Sequence, residues 1–267
     1  MRFQILSDIH LECYNTLPDI KNFLIPSAPY LILAGDICFF EHPNFLPFFE
    51  NVSTLFEKIF YILGNHEYFD TDKLPKNSFK SIPFLIKETL KHLKNIYVLQ
   101  NDFFESNDFI ILGTTLWTSH RLKPKDPLIK LTNNPDFIAY SEKKLPSLKI
   151  FQQENDTDYK WLKDFLKEHN KNKFIIVVTH YLPSYKLIPK KYRNCQNNFL
   201  YASHYDELLE YSHAWIFGHG HTSVQKNIKG CLCISNTYGY NFERKNFKVI
   251  KEINHSLTKT IRIGSSL

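Results

Sequence analysis

The sequence predicts an α/β protein with two β-sheets, and three observations support this fold class. Short apolar runs rich in β-forming residues recur along the 267 residues. Helix-compatible segments separate the early runs, which favours a largely parallel sheet. From about Val98 the strand-like runs follow one another without long helices. This second pattern is typical of a further sheet with antiparallel character, packed on the first.

Five strand-like runs end in polar residues of an unusual kind. They read "RFQILSDIH", "YLILAGDI", "IFYILGNHEY", "FIIVVTHYLP" and "AWIFGHGHT". Each run is β-prone and then reaches Asp, Asn or His. In parallel sheets, ligands bind beyond the carboxyl ends of the strands. We therefore expect the five strand ends of such a sheet to converge on one site.

The remaining elements follow from periodicity. Helices are predicted over residues 45–57, 83–94 and 156–170, the last with Tyr159, Leu162 and Phe165 on one face. The runs "IYVLQNDFF", "FIILGTTLW", "CLCISNTYGY" and "FKVIKEIN" are predicted strands of the second sheet. Residues 119–155, rich in Lys, Pro and Asn, are predicted to form an irregular insertion in a single domain spanning 1–267.

Composition excludes several classes of protein. With 43% hydrophobic residues and only 8 Gly, the chain is neither disordered nor collagen-like. No apolar run approaches the ~20 residues of a membrane span, and the N-terminus does not resemble a signal peptide, so we expect a cytoplasmic protein. Its five cysteines are an odd number and are expected to be reduced. The net charge of +6 permits an anionic ligand without demanding one.

The polar strand-end residues form a set with metal-binding chemistry. They are Asp8, His10, Asp36, Asn65, His66, His180, His219 and His221. Any one alone is more often a turn former or a hydrogen-bonded histidine. Together they match the ligands of hard to borderline divalent cations. In extended backbone residues i and i+2 share a side, which applies to Asp8 with His10 and to His219 with His221. The set exceeds what one tetrahedral ion needs, which indicates two ions sharing a carboxylate.

The ordered blocks "DIH", "GD", "GNHE", "TH" and "GHGH" resemble the motifs of the calcineurin-like metallophosphoesterase family, from Asp8 to His221. The stretches "SDIHLE", "GTTLW" and "NTYGY" are similar to those of a small, mostly uncharacterised prokaryotic-type branch. The resemblance implies a four-layer α/β/β/α sandwich of two mixed sheets flanked by helices.

The resemblance also implies roles for the site residues. Asp8, His10 and His221 would bind one metal ion, and Asn65, His180 and His219 the other. Asp36 would bridge the two ions. His66 would be the catalytic residue, a proton donor or electrostatic stabiliser over the substrate. The two divalent ions would be Mn, Fe, Zn or Ni, with Mn favoured.

These roles imply a metal-dependent phosphoric ester hydrolase. Two divalent ions contribute four positive charges, while Asp8, Asp36 and a bridging hydroxide remove three, so about one remains to receive phosphate. The hydroxide would attack phosphorus in line, and His66 would protonate the departing oxygen. The expected substrate is a small or nucleotide-like phosphodiester or phosphomonoester.

The chain departs from the family pattern after Asp36, which is followed by "ICFF" instead of a second acid and an Arg-Gly pair. The residue that orients His66 is therefore not identified, with Glu67 and Asp206 as candidates. The missing Arg argues against a protein phosphatase. Gly220 is expected to let the backbone turn between His219 and His221.

Residues in the loops after the strands could recognise substrate. An aromatic wall is one hypothesis and ordinary packing the other for Phe39, Phe40, Trp117 and Tyr181. Basic residues in these loops are expected to be a solvated surface in preference to an anion site: Lys123, Lys125, Lys186, Lys190, Lys191 and Arg193.

Two other functions remain open at this point. A catalytically silent scaffold for protein interaction would keep the fold but is expected to lose ligands, and this chain retains them all. A nuclease would favour a broad basic surface or an additional domain, so nucleic acid is possible but not favoured as a partner.

Overall fold

A computed structural model describes residues 1–68, 78–119, 148–168, 173–195, 197–240, 243, 247–248 and 251–254. The strands in these ranges are β1 (Arg2–Leu6), β2 (Tyr30–Ala34), β3 (Lys58–Ile62), β4 (Ile96–Val98), β5 (Asp102–Glu105), β6 (Phe109–Thr114), β7 (Phe174–Thr179), β8 (Ala214–Ile216), β9 (Gln225–Ile228), β10 (Cys231–Ile234) and β11 (Glu252–Asn254). The α-helices are α1 (Phe45–Ser53), α2 (Ser78–Leu90), α3 (Leu148–Glu168) and α4 (Asp206–Leu209).

The strands form two mixed sheets. The first sheet has the order β11-β1-β2-β3-β4, and the second has the order β5-β6-β7-β8-β10-β9. Central pairs are parallel in both sheets, whereas β11 pairs antiparallel with β1, and β5 and β9 form antiparallel edges of the second sheet. This confirms the predicted α/β fold with two mixed sheets.

Alternation along the strands explains the layers. In β7, Phe174, Ile176 and Val178 join the core between the two sheets, while Ile175 and Val177 belong to the core on the other face. Helices α1 and α2 pack on the outer face of the first sheet, and α3 and α4 on that of the second. All the residues named for β7 are at most 3% exposed, as expected for strands buried on both faces.

Three sequence-based assignments of strands were wrong. The five runs with polar ends do not share one sheet, because β1, β2 and β3 lie in the first and β7 and β8 in the second. The run "IYVLQNDFF" divides between β4 and β5 at Asn101, which has a positive φ of 47°. Strand β11, from "FKVIKEIN", joins the first sheet instead of the second.

Helix α3 begins at Leu148, eight residues before the predicted start, so the end of the predicted irregular insertion is helical. Its buried face contains Phe151, Asn155, Asp158 and Leu162. The two polar residues interrupt the apolar periodicity, which is why the sequence pattern shows too short a helix. Residues 120–147 of the predicted insertion lie outside the described residues.

None of the described helices is long and apolar enough to cross a bilayer. The five cysteines all lie in the described part of the chain and form no disulfide bond, and Cys38, Cys231 and Cys233 are buried.

Candidate metal centre

The polar ends of five strands lie together at one edge of the two packed sheets. The loops after β1, β2 and β3 carry Asp8, His10, Asp36, Asn65 and His66. The loops after β7 and β8 carry His180, His219 and His221. Asp8, His10, Asp36, Asn65 and His180 are each at most 2% exposed. So many buried polar groups require either close partners or a bound ion.

Most of the predicted ligand residues adopt left-handed backbone conformations. Positive φ angles occur at Asp8 (54°), His10 (53°), Asp36 (54°), His219 (62°) and His221 (40°). Such conformations disfavour residues with a Cβ and concentrate at functional sites. The sharp turns bend each chain at the end of its strand.

The first cluster of ligand atoms comprises Asp8, His10, Asp36 and His221, all within 4.8 Å of one another. The Nε2 atoms of His10 and His221 are 3.0 Å apart, and His221 Nε2 lies 3.5 Å from Asp8 Oδ1. His10 Nδ1 donates to Glu12 at 2.9 Å and His221 Nδ1 to Glu243 at 2.6 Å. Because carboxylates accept only, both Nδ1 atoms carry hydrogen, which leaves the two Nε2 atoms as the nitrogens that face the cluster.

The second cluster comprises Asp36, His180 and His219, also within 4.8 Å of one another. His180 Nε2 lies 3.1 Å from Asn65 Oδ1 and 3.3 Å from Asp36 Oδ2, while its Nδ1 donates to the Ala34 carbonyl at 2.9 Å. His219 Nε2 donates to the Leu200 carbonyl at 3.3 Å, so Nδ1 is the atom that can ligate a metal. Asp36 belongs to both clusters.

The donor set has the chemistry of a divalent-metal site. Imidazole nitrogens whose other nitrogen donates to a carboxylate or carbonyl are the usual ligands of protein-bound metals. Without a cation, the cluster balances its charge internally. Burial acts to raise the pKa of Asp36, but His180, His66 and His10 hold that pKa well below its usual range. Burial alone would lower the pKa of His180, whereas the adjacent Asp36 raises it to about 9.

His66 pairs with Glu12, a carboxylate that was not among the candidates from the sequence. His66 Nδ1 donates to Glu12 Oε1 at 2.9 Å. Asp206 instead pairs with Lys186 at 2.5 Å. Glu12 lies two residues after His10, the spacing that separates Asp8 from His10, and this repeated spacing was the signal available in the sequence.

Glu67 connects the loops that carry the ligands. Its carboxylate accepts hydrogen bonds from the backbone N–H groups of Asp36, Ile37 and Gly64 and from the Tyr61 hydroxyl, at 2.7–3.1 Å. Burial and the nearby Asp36 charge raise the pKa of Glu67 to about 7. Its role is to fix the backbone on both sides of Asp36.

Aromatic side chains line part of the cluster. Phe39 stacks on His66 with ring centres 5.5 Å apart, and Tyr181 packs on His219 at 4.1 Å. Trp117 is 1% exposed in the core and Phe40 packs on Phe45, so only part of the hypothesised wall reaches the histidines.

Sequence reasoning missed further residues that contact the predicted ligands. Tyr240 stacks on His10 with ring centres 4.6 Å apart, Tyr201 packs on His219 at 5.0 Å, and Glu243 holds His221. Tyr240 is the last residue of the "NTYGY" stretch, but nothing in the pattern shows that it reaches the first cluster. Of the loop cations, Lys123 and Lys125 lie outside the described residues.

Gly218 is one of the glycines at which the two halves approach closely, whereas Gly220 is not. A Cβ on Gly218 would lie 2.7 Å from the Ala34 carbonyl and 2.8 Å from Asp8 Oδ2. A Cβ on Gly220 would meet nothing closer than Leu182 at 3.5 Å, an ordinary contact. The turn expected at Gly220 is formed by the left-handed residues on either side of it.

One protein family and one curated relative match most of this chain. The family model of the calcineurin-like phosphoesterases matches residues 1–223. The uncharacterized protein L509 of Acanthamoeba polyphaga mimivirus is 29% identical, covering 91% of this chain and 92% of that protein.

Two solved structures share the fold. The phosphopantetheinyl hydrolase PptH from Mycobacterium tuberculosis superposes with a TM-score of 0.71 at 15% identity, covering 95% of both chains. The protein TT1561 of Thermus thermophilus has a TM-score of 0.50 at 12% identity, covering 88% of both chains.

Proposed function

Because the chain belongs to the calcineurin-like phosphoesterase family, we propose that it is a dinuclear metal-dependent hydrolase of a small phosphorylated or nucleotide-like ester. Family membership and the clustered Asp and His residues support metal-dependent hydrolysis of a phosphoester bond in general. The observation that carries the finer proposal is that Asp36 belongs to two separate ligand clusters. A carboxylate in that position suits a bridge between two ions.

The two clusters would divide the ligands. Asp8, His10 and His221 would hold the first ion, and Asn65, His180 and His219 the second, with Asp36 shared. Bound divalent ions, of which we favour Mn, would neutralise phosphate charge and activate water for attack on phosphorus. Hydrogen bonds between the loops hold the carboxylates in place. Asp8 Oδ1 accepts from the His219 N–H at 2.8 Å, and Asp36 Oδ1 accepts from the His66 N–H at 2.9 Å.

His66 would be the proton donor. Its Nδ1 donates to Glu12, and its Nε2 lies 3.9 Å from Asp36 Oδ2, the carboxylate shared by both clusters. A proton on Nε2 would pass to the departing oxygen as the phosphorus–oxygen bond breaks, and solvent would restore it. General-acid assistance of this kind contributes about 10²–10⁴-fold to the rate.

The partially exposed Phe39 beside His66 supports an organic leaving group that contacts an aromatic ring, such as a nucleoside. We favour phosphodiesters slightly over phosphomonoesters. The five cysteines without a disulfide support a reducing, cytoplasmic location.

The test combines metal analysis with a hydrolysis screen. The purified protein, reconstituted with Mn²⁺, is assayed on bis-p-nitrophenyl phosphate, p-nitrophenyl phosphate, cyclic nucleotides and short oligonucleotides. We expect about two ions per chain and turnover of at least one small ester. Absence of both metal and turnover would favour the scaffold, and preferential cleavage of the oligonucleotides would favour the nuclease.

A further inference from the structure

One carboxylate oxygen of Glu12 accepts hydrogen bonds from two histidines. Its Oε1 accepts from His10 Nδ1 and from His66 Nδ1, each at 2.9 Å. The Glu12 side chain is 6% exposed, and its other oxygen, Oε2, is buried without a hydrogen-bond partner among the described residues. Within the described part of the chain, the hydrogen bonds of this carboxylate therefore go to the two imidazoles.

This arrangement fixes the orientation of both rings. The His10 and His66 rings are nearly perpendicular, at 80°, with centres 4.4 Å apart. Since Glu12 accepts on the Nδ1 side of each, both Nε2 atoms turn the other way, and each lies 3.9 Å from Asp36 Oδ2. Phe39 stacks on the His66 ring at an interplanar angle of 24°.

A carboxylate oxygen that accepts from His66 Nδ1 fixes the tautomer and the orientation of that ring, which leaves Nε2 as the nitrogen on the side of Asp36.

We propose that Glu12 is the positioning residue of His66, occupying the role of the second acid that is absent after Asp36, and that it ties His66 to the first metal cluster through His10. This inference rests on the proposed role of His66 as proton donor. It predicts that the proton donor and one metal ligand respond together to a change at Glu12.

The kinetic test uses Glu12→Gln, which keeps the shape of the side chain and removes its charge. At saturating Mn²⁺, kcat for an alkyl phosphodiester should fall about 10- to 100-fold with KM unchanged. Loss of a carboxylate that hydrogen-bonds to a functional histidine typically has an effect of about that size. The kcat for bis-p-nitrophenyl phosphate should change little, since nitrophenolate leaves without a proton. Glu12→Asp keeps the charge and should lie between the wild type and Glu12→Gln.

A double-mutant cycle with His66→Ala separates the proton-donor role of His66 from the positioning role of Glu12. If Glu12 acts through His66, Glu12→Gln should have no further effect on kcat in the His66→Ala background. If His66→Ala leaves alkyl ester hydrolysis intact, the proton-donor role fails. If His66→Ala is impaired but Glu12→Gln is not, only the positioning role fails.

A readout without turnover covers the case in which no tested ester is hydrolysed or Glu12→Gln is poorly active. In ¹H–¹⁵N spectra of the metal-free wild type, both His10 and His66 should show a protonated Nδ1, and Glu12→Gln should redistribute the His66 proton between its nitrogens. An unchanged His66 spectrum in a folded Glu12→Gln variant overturns the positioning role.

Glu243→Gln is the matched control, because Glu243 holds His221 in the way that Glu12 holds His10. It should lower metal affinity yet preserve the ratio of alkyl to nitrophenyl ester rates. A change in that ratio equal to that of Glu12→Gln would show a general effect of the metal cluster and overturn the specific role of Glu12.

Discussion

The two halves of the sandwich, each a sheet with its loops, contribute different types of side chain to the candidate metal centre. The first sheet provides both carboxylates and the amide of the ligand set, together with His10, whereas the second provides only imidazoles, at His180, His219 and His221. In the assignment proposed above, each ion takes ligands from both sheets. If that assignment holds, ion binding and the packing of the two sheets are linked.

The largest expected effect comes from removing the carboxylate shared by both clusters. Asp36→Asn should reduce the bound metal below two ions per chain and lower hydrolysis by at least about 10³-fold, since metal-assisted charge stabilisation is worth several kcal/mol. Metal analysis and kcat/KM measure this. Asp102→Asn is the matched control, because Asp102 forms an exposed ion pair with Lys87 at 2.9 Å. Retention of two ions in Asp36→Asn would contradict the bridging role.

Metal removal tests the link between the halves. If each ion joins the two sheets, chelation should destabilise the fold by roughly 3 kcal/mol per ion, about 5 kcal/mol for two, in protein previously held at about 100 times each dissociation constant. For a chain of this size that corresponds to a fall in Tm of roughly 10–20 °C, measurable by circular dichroism. An unchanged Tm after complete metal removal would show that the sheets pack without any contribution from ions.

The close approach of the two halves can be tested by a pair of glycines. Gly218→Ala should lower the free energy of unfolding by about 1–3 kcal/mol, because the new Cβ would overlap Ala34 and Asp8 of the first sheet. Gly220→Ala should stay within about 0.5 kcal/mol of the wild type. Denaturant unfolding of the metal-free proteins measures both, and equal effects would contradict the assignment of the contact to Gly218.

The smallest expected effect lies in the helix layers, where the halves also differ. The helices on the first sheet pack through apolar side chains, whereas α3 buries Asp158, which accepts from Asn101 Nδ2 at 2.8 Å. Burial raises the pKa of Asp158 from 3.8 to about 7, although Asn101 and Thr114 oppose this. Because the folded state retains a proton that the unfolded state has lost, this contribution is complete below about pH 4 and is lost as pH rises through about 7.

Asp158→Asn should remove that pH dependence. Relative to the wild type, the variant should gain on the order of 1–2 kcal/mol between pH 5 and pH 8, measured by denaturant unfolding of metal-free protein. A parallel pH profile for the two proteins would show that Asp158 is ionised in the fold.

Local patterns in the sequence predicted much of the fold and a set of polar residues that lie close together in the structure. The i, i+2 argument assumed extended backbone, whereas both pairs of residues to which it was applied have positive φ. Strand ends could be predicted because each apolar run stops at Asp, Asn or His. The distribution of strands between sheets could not, since the same apolar run suits either sheet when both faces are buried. The contacts of Glu12 and Glu243 with histidines were also not predicted, because they depend on how the loops fold. An acid that supports a histidine is identified by its distance from that ring, and Glu243 is 22 residues from His221.

The left-handed residues of the centre also constrain how the protein can change. At each of the five positions with positive φ, a residue of the candidate site adopts a backbone conformation that glycine adopts more readily. The conformational free-energy cost is on the order of 1 kcal/mol at each position. Substituting glycine for Asp8 or His219 would relieve that strain, but it would also remove a proposed ligand together with the hydrogen bonds of the Asp8 carboxylate or the packing of Tyr181 on the His219 ring. The strain at these positions is therefore retained by interactions that glycine cannot make.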